Sequence, residues 1–296
     1  MKKTIFICCV ILCSGLAAWA QSAVFKVSFE AEAPIVREGL RRPCWQPGDA
    51  LSVSPLSEDK DAAGLVMWTE ETGQTVSMRA DEPVRLMAVC AVWPLSSVHT
   101  WNPSGRESCT LQFKTDIKAR QMVSPVGEQY GVTLYADPDV LWLAGWSDKP
   151  RKETVVLSQI GTYLKFTIPE GMAGTLKRVL LRATTSLDRE ARGASMGGTV
   201  YYNCRADEVK ATYAGSAKSI TVSNPGGMAL RAGVYYVAVR PRCSADPSKN
   251  YQGISLVVYA GDGSSAVWIP QISGGCVFEP GRIYDLGEMP RELIFQ

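Results

Sequence analysis

Histidine is almost absent from this sequence: among its 296 residues, His99 is the only one. Any Ser-His-Asp or Cys-His mechanism would have to pass through His99, which lies in a loop-like stretch between Pro94 and Pro103. The sequence also lacks a Gly-x4-Gly-Lys phosphate loop and a Gly-x-Gly-x-x-Gly dinucleotide fingerprint. We therefore predict that the protein is not an enzyme and that it holds no cofactor and no metal.

Long apolar runs are equally scarce, and the one that stands out lies at the N-terminus. Two lysines precede the apolar run Ile5 to Leu16, which is followed by Ala18-Trp19-Ala20. This is the order of a secretory signal peptide, and the run is shorter than the roughly 20 residues that span a bilayer. We predict that residues 1–20 direct export by the Sec pathway, that cleavage precedes Gln21, and that no transmembrane segment follows.

Lipidation is the alternative fate of such a leader, because Cys8, Cys9 and Cys13 lie in or near its apolar run. A lipobox needs a small residue immediately before its cysteine, whereas Leu12 precedes Cys13. The sequence therefore favours free export. The expected location is the cell surface or the exterior.

Neither sign of charge dominates. Without residues 1–20 the chain has 29 basic and 29 acidic residues, because Lys2 and Lys3 are the only charges of the leader. Nucleic acids and anionic lipids are captured mainly by clustered lysine and arginine. We therefore predict no nucleic-acid partner.

Cysteine pairs at zinc-finger spacing are missing, since no Cys-x-x-Cys occurs. The alternatives are buried free thiols or disulfides, which an exported chain can form, and six cysteines allow fifteen pairings that the sequence alone does not sort. The six that follow the leader are Cys44, Cys90, Cys109, Cys204, Cys243 and Cys276.

Helical periodicity is nearly absent, whereas apolar and polar residues alternate at the strand period of two. Alternation is clearest at Phe25 to Phe29, Leu164 to Ile168, Val209 to Tyr213 and Ile220 to Val222. Continuous apolar runs, typical of strands buried on both faces, occur at Val84 to Trp93, Val234 to Val239 and Ile254 to Tyr259. Only Asp116 to Val123 and Leu187 to Ala194 are predicted as short helices.

Turn signals separate these runs: Gln46 to Asp49, Asn102 to Gly105, Asn224 to Gly227, Asp262-Gly263 and Pro280-Gly281. Many short strands punctuated in this way indicate a sandwich or a barrel, so the predicted fold class is all-β. The charged, proline-bearing stretch Ser147 to Lys152 lies between two strand-rich halves. We predict an N-terminal domain at residues 21–150 and a C-terminal domain at residues 151–296.

Two sets of side chains are candidates for binding or chemistry. Asp137 and Asp139 are a carboxylate pair of the kind a glycosidase needs, although aspartates in a turn usually cap their own backbone. Tryptophans can stack on sugar faces, although core packing is their commoner role. The candidate glycan contacts are Trp93, Trp101, Trp142 and Trp146.

Five segments, in order, resemble the fimbrillin family, the subunits of type V pili and related surface proteins of Gram-negative bacteria. They are Trp45-Gln46-Pro47-Gly48-Asp49, Ala88 to Pro94, Val155 to Ile168, Ala232 to Pro241 with its Gly-x-Tyr-Tyr strand, and Phe278 to Gly287. The resemblance implies two transthyretin-like β-sandwiches in tandem and a role as a structural or adhesion subunit, located in a fimbrium or at the cell surface in association with the outer membrane.

The resemblance also implies assembly with other fimbrial subunits, or with copies of the chain itself, by strand exchange. In that process a protease cuts after a basic residue near the N-terminus and a donor strand fills the groove that is left. Arg37, Arg41 and Arg42 are the candidate cleavage sites. A host or bacterial glycan or protein is a further candidate partner.

Two departures from the family pattern affect the expected role. The leader lacks a lipobox, and only the short segment Glu288 to Gln296 follows the closing motif. Leu293, Ile294 and Phe295 nevertheless make this tail apolar enough to insert into a groove of this chain or of another. A minor, tip or non-polymerising subunit is therefore as compatible with the sequence as a stalk subunit.

Overall fold

Strands form where the sequence alternates, and the computed structural model is built almost entirely from them. It describes residues 24–56, 64–81, 88–97, 100–104, 110–184, 195–205, 208–245, 250–272 and 277–296. The predicted leader and its cleavage point lie outside these residues. The all-β class is confirmed.

The strands are β1 (Val24–Phe29), β2 (Ala50–Leu56), β3 (Leu65–Trp68), β4 (Thr75–Arg79), β5 (Ala88–Trp93), β6 (Thr100–Ser104), β7 (Thr110–Ile117), β8 (Arg120–Met122), β9 (Ser124–Gln129), β10 (Val132–Ala136), β11 (Leu143–Ser147), β12 (Val155–Gln159), β13 (Thr162–Ile168), β14 (Leu176–Thr184), β15 (Gly197–Arg205), β16 (Glu208–Ala217), β17 (Ser219–Ser223), β18 (Gly233–Val239), β19 (Gly253–Ala260), β20 (Ser265–Trp268) and β21 (Ile283–Glu288). One short α-helix, α1 (Pro34–Arg37), follows β1. Short 3-10 turns occur at Leu95–Ser97, Pro138–Val140, Glu170–Met172 and Pro225–Gly227.

Seven strands close into a barrel in the order β1-β12-β11-β5-β2-β3-β4. β1 completes the ring, because it pairs antiparallel with β4 and parallel with β12. Its register places Val27 opposite both Val76 and Val155, and all three side chains are buried. The alternation at Phe25, Val27 and Phe29 thus points into the barrel, as the sequence predicts.

Three further sheets carry the remaining strands. Two have five strands each, in the orders β21-β13-β18-β10-β9 and β20-β19-β14-β17-β8, and one has four in the order β16-β15-β7-β6. β5 and β18 are buried on both faces, as their continuous apolar runs predict. The same prediction is wrong for β19, where buried and half-buried residues alternate, so that one face only meets the core.

The helix predicted over Asp116 to Val123 is wrong, because β7 and β8 cover most of that segment. Gln121 explains the error: it is a polar residue that lies fully buried, where its side-chain amide donates to the carbonyl oxygen of Ala238 at 2.7 Å and accepts from Ala238 N at 3.0 Å. Asn102 to Ser104 lie in edge strand β6 rather than in a turn, a position that tolerates Pro103. The helix predicted at Leu187 to Ala194 falls outside the described residues.

Both sides of residue 150 contribute to the same sheets. β12 lies in the barrel with strands that precede it, while β6 to β10 pair within sheets completed by strands after residue 160. The domain boundary at residue 150 and the tandem transthyretin-like arrangement remain predictions.

Candidate functional site

The candidate site is the stretch from β1 to Asp49. It includes residues 37–42, which contain Arg37, Arg41 and Arg42 and which we call the arginine-bearing segment. Backbone hydrogen bonds continue past β1, since Glu30 N donates to Leu157 O at 2.9 Å. The chain then turns through α1, where Ile35 N donates to the Gln159 side chain at 2.8 Å. Without β1, strands β4 and β12 would each have an unpaired edge, and the apolar interior of the barrel would lie open between them.

Arg41 is buried among three aromatic side chains and is paired with Asp49. We call this set the Arg41 cluster: Phe29, Arg41, Trp45, Asp49 and Trp93. The guanidinium carbon of Arg41 lies 4.4 Å from the ring centre of Phe29, 4.8 Å from that of Trp93 and 5.5 Å from that of Trp45. Arg41 Nη2 contacts Asp49 Oδ2 at 2.9 Å, although the residue is only 9% exposed. Burial lowers the pKa of Arg41, and Asp49 offsets part of that effect.

The three candidate cleavage arginines differ sharply in their surroundings. Arg37 is exposed and ends α1, and Arg42 is exposed and precedes Pro43. Arg41 is enclosed by the cluster just described, and its Nη1 also donates to the carbonyl oxygens of Arg42 at 3.1 Å and Cys44 at 3.4 Å. The sequence alone does not distinguish the three arginines, whereas the structure shows that Arg41 is buried and the other two are exposed.

Glu38, the residue after Arg37, holds this segment to the five-stranded sheet that contains β13, β18 and β21. Its Oε2 accepts a hydrogen bond from Tyr236 Oη at 2.9 Å and lies 3.3 Å from Lys165 Nζ. Lys165 Nζ also contacts Asp285 Oδ2 at 3.1 Å. Burial opposes the charge of Lys165, but Asp285 and Glu38 outweigh it and raise its pKa. Burial and the neighbouring Glu38 raise the pKa of Tyr236 as well.

The arginine-bearing segment also lies close to β9, where the two backbones approach at Gly39 and Gly127. Gly127 on β9 lies so near the carbonyl oxygen of Gly39 that a β-carbon at Gly127 would overlap it. Glycine at residue 127 is therefore required by the packing of the arginine-bearing segment rather than by its own backbone angles.

The tryptophans predicted as glycan contacts occupy different environments. Trp142 is 1% exposed, and its indole N–H donates to Asp139 O at 2.8 Å, so its faces are not open to a sugar. Trp93 and Trp146 are half-buried, and Trp93 lies under Arg41. The Trp101 side chain lies outside the described residues. Glycan contact through Trp93, Trp101 and Trp146 remains a prediction.

Tyr130 is an exposed aromatic side chain that the sequence analysis missed. It lies in the tight turn between β9 and β10, is 97% exposed, and has a positive φ of 51°. Positive φ is uncommon for a residue other than glycine. A single tyrosine beside Gly131 carries no periodic signal, so only its exposure in the structure identifies it.

The carboxylates of Asp137 and Asp139 bind groups of their own chain, namely backbone N–H groups and the Lys118 side chain. Asp137 is buried, and its oxygens accept from Asp139 N at 3.1 Å and from Met122 N at 3.2 Å, which is the capping role expected of a turn aspartate. Lys118 Nζ bridges both carboxylates, at 3.1 Å from Asp137 and 2.8 Å from Asp139. Burial works against the charge of Lys118, but its hydrogen bonds to the two aspartates outweigh burial and raise its pKa.

A Gly-x-Ser-x-Gly pattern at residues 193–197 was also missed. In a nucleophile elbow a strand leads into the serine and a helix follows it. Here strand β15 begins two residues after Ser195, and Ser195 Oγ donates to Gly197 O at 3.2 Å. The pattern therefore lies in the wrong order of elements for catalysis.

Cys90 on β5 is buried and disulfide-bonded, whereas Cys44 and Cys243 are free thiols. Within the described residues, no group of three or more His, Cys, Asp or Glu side chains could hold a metal ion. In the same part of the chain, no helix has the length and apolar character needed to cross a membrane.

A mostly apolar cavity of about 550 Å³ lies elsewhere, between the β8–β9 junction and the loop that joins β17 to β18. Its lining includes Val123, Pro125, Tyr135, Asn224, Met228 and Arg231. It shares no lining residue with the Arg41 cluster.

No protein-family model and no curated protein matches the sequence. Solved structures do match. A candidate cell adhesion protein from Bacteroides ovatus superimposes with a TM-score of 0.52 at 12% identity, covering 94% of this chain and 95% of the other. A second candidate cell adhesion protein, from Bacteroides uniformis, gives 0.49 at 14% identity, covering 93% and 96%. The tip fimbrial protein Mfa3 from Porphyromonas gingivalis gives 0.31 at 11% identity, covering 93% and 98%.

The first of these similarities establishes a shared fold over nearly the whole of both chains. The predicted resemblance to fimbrillin-like proteins is confirmed at the level of the fold, which this chain shares with that candidate adhesion protein.

Proposed function

We propose that this chain is an exported, non-catalytic subunit of a fimbrium or of another adhesive structure at the cell surface. We further propose that it joins other subunits, or copies of itself, by β-strand exchange once β1 has been removed. The observation that carries the proposal is the position of β1, which is the first of the described strands, closes the barrel by pairing with both β4 and β12, and is followed by an exposed arginine. The fold shared with a candidate adhesion protein supports the same role.

The bond that fits cleavage best is Arg37-Glu38. A trypsin-like protease needs an arginine side chain that can enter its specificity pocket, and Arg41 is enclosed by the Arg41 cluster. Arg42 is exposed, but the following proline forms a tertiary amide without an N–H and restricts the backbone before it. Arg37 is exposed and ends a four-residue helix, so its side chain is open to a protease, and cleavage of the bond must also release Glu38 from Tyr236 and Lys165.

The C-terminal tail is seated on its own chain. Gln296 exchanges two backbone hydrogen bonds of 3.0 Å with Ser265 on edge strand β20, and Leu293 and Phe295 pack against the core. If the tail donates to a neighbour, it must first leave this edge. A tip or minor position therefore remains part of the proposal alongside a stalk position.

Limited proteolysis under native conditions tests the proposal. We expect trypsin to make its first cut in this region after Arg37, and we expect the cut chain to take up a labelled peptide of residues 24–32 that the uncut chain excludes. Arg37→Gln should abolish the cut, and the matched variant Arg42→Gln should leave it unchanged. Mass spectrometry locates the cut and fluorescence anisotropy measures the uptake.

Each part of the proposal has its own contrary result. A first cut after Arg41 or Arg42 would refute the assignment of the bond. Equal uptake by cut and uncut chains, or no uptake by the cut chain with the peptide in large excess over the bound fragment, would refute strand exchange at β1.

A further inference from the structure

We propose that Arg41, Trp45 and Trp93 form an aromatic receptor, which binds an incoming strand more tightly when that strand places an aromatic ring at the position now held by Phe29. The inference rests on the strand exchange proposed above and adds the chemical class of its partner. The partner is an extended strand with apolar side chains at three alternate positions, the last of them aromatic.

Phe29 is held by its ring rather than by its volume alone. Its ring centre lies 4.0 Å from that of Trp45 at an interplanar angle of 15°, which is a stacked pair. It lies 6.1 Å from the ring centre of Trp93 at 82°, which is an edge-to-face pair. The Arg41 guanidinium covers it at 4.4 Å. A single aromatic residue thus makes two ring contacts and one cation–π contact.

The walls of this receptor are fixed by contacts that do not involve β1. Asp49 Oδ2 holds Arg41 Nη2 at 2.9 Å and also accepts from Gln46 N at 2.9 Å. Trp45 exchanges backbone hydrogen bonds with Gly73, at 2.8 and 3.3 Å. Trp93 belongs to β5, which is paired with β11 and β2. The receptor therefore survives the loss of β1, with its faces already oriented.

Cleavage at Arg37-Glu38 is the cut that preserves this receptor. Arg41 then stays on the main chain, while Phe29 leaves with β1. A cut after Arg41 or Arg42 would instead remove the guanidinium together with the strand.

The other inward positions of the groove are less selective. Val27 contacts an aliphatic environment formed by its register partners Val76 and Val155. Phe25 is buried in the same barrel but makes none of the three contacts with Arg41, Trp45 and Trp93 that define the Phe29 position. Selection for an aromatic ring should therefore be confined to the last of the three positions.

Peptide competition on the trypsin-cut full chain tests the receptor. Labelled peptides of residues 24–32 would be titrated with Phe29 unchanged, with Phe29→Tyr, with Phe29→Leu and with the matched control Phe25→Leu. We expect the Phe29→Tyr peptide to bind within about threefold of the unchanged one, and Phe29→Leu to weaken binding about tenfold or more, because both ring stacking and the cation–π contact are lost. Phe25→Leu should cost less than Phe29→Leu.

Variants of the receiving chain supply the second arm. We expect the preference for the unchanged peptide over the Phe29→Leu peptide to fall below about threefold in two variants, Arg41→Lys and Trp45→Leu. Arg41→Lys keeps the charge but loses the planar face of the guanidinium. Trp68→Leu is the matched control, since Trp68 is a half-buried tryptophan that faces Arg79 instead, and its preference should be unchanged.

Equal binding of the unchanged peptide and the Phe29→Leu peptide to the unaltered chain would overturn the receptor while leaving strand exchange intact. A preference that persists undiminished in both Arg41→Lys and Trp45→Leu would overturn it as well. Failure of the cut chain to bind any of the peptides would overturn strand exchange itself, and the receptor with it.

Discussion

Asp137 is a carboxylate whose surroundings define its role. It is buried and accepts from two backbone N–H groups and from Lys118, so its loss leaves the two N–H groups without this acceptor and removes one of the two carboxylates that Lys118 contacts. We predict that Asp137→Ala lowers the free energy of unfolding by about 2 kcal/mol, a value moderated by the partial exposure of Lys118.

The matched variant is Asp139→Ala, because Asp139 also contacts Lys118 but is 43% exposed. We expect it to cost less than about 1 kcal/mol. Urea unfolding of the three chains at pH 7 measures both values. A larger loss for Asp139 than for Asp137 would contradict the structural role given to Asp137.

Buried tyrosines predict a loss of stability in alkali. Tyr251 donates to the carbonyl oxygens of Arg240 at 3.0 Å and of Ser195 at 3.2 Å, and burial raises its pKa to about 12. In the unfolded chain it ionises near pH 10. Between these values the unfolded state has lost the proton that the folded state keeps, so the stability that Tyr251 contributes below pH 10 is lost as the pH rises toward 12.

Tyr251→Phe isolates that effect. Between pH 10 and 12 it should make the fall in the free energy of unfolding shallower by up to about 1.4 kcal/mol per pH unit. Urea titrations at several pH values provide the slopes, and identical slopes for the unaltered chain and for Tyr251→Phe would refute the assignment.

Among the elements, the docking of α1 and the arginine-bearing segment onto β9 depends on Gly127. Gly127→Ala should push the segment away from β9, lower the free energy of unfolding by about 1 to 3 kcal/mol, and accelerate tryptic cleavage at Arg37. Gly171→Ala is the control, since a β-carbon there meets no atom within 4 Å and the backbone angle is ordinary. If the two variants were cleaved at the same rate, the close approach of Gly39 and Gly127 would not hold the segment in place.

The strands that the sequence predicted are those in which buried residues either alternate with more exposed ones or follow one another without a break. β1, β13 and β17 alternate, and β5 and β18 are apolar throughout, so local pattern alone identified them. β8 was missed because Gln121 is buried through hydrogen bonds to a strand more than a hundred residues away. Ala238 becomes a neighbour of Gln121 only through the arrangement of the strands, so the residues next to Gln121 in the sequence give no indication of this contact.

In the candidate site, too, the sequence identified individual residues but not the contacts between distant ones. The sequence identified Arg37, Arg41 and Arg42 as a set and Trp93 as an aromatic candidate. It did not reveal that Arg41 joins Phe29, Trp45 and Trp93, because these residues meet only when the barrel closes. Cation–π contacts carry no sequence spacing of their own.

At the scale of the whole molecule, one closed barrel joins the first described strand to β12 in the middle of the chain. A cut at Arg37 leaves this barrel in two pieces held by non-covalent contacts alone. Phe25, Val27, Phe29 and Ile35 remain buried across the new break, so the fragment should stay bound after the cut. Strand exchange then requires a competitor rather than the cut alone.

That state makes a distinctive prediction. The uncut chain unfolds as one molecule, so its thermal midpoint should not depend on concentration. The cut chain unfolds into two molecules, so by mass action its midpoint should rise as the protein concentration rises from about 1 to 100 μM. Arg37→Gln treated with the same protease is the control and should behave as the uncut chain. A fragment lost on native gel filtration immediately after cleavage, or a midpoint of the cut chain independent of concentration, would show that β1 does not hold the barrel closed by its own contacts.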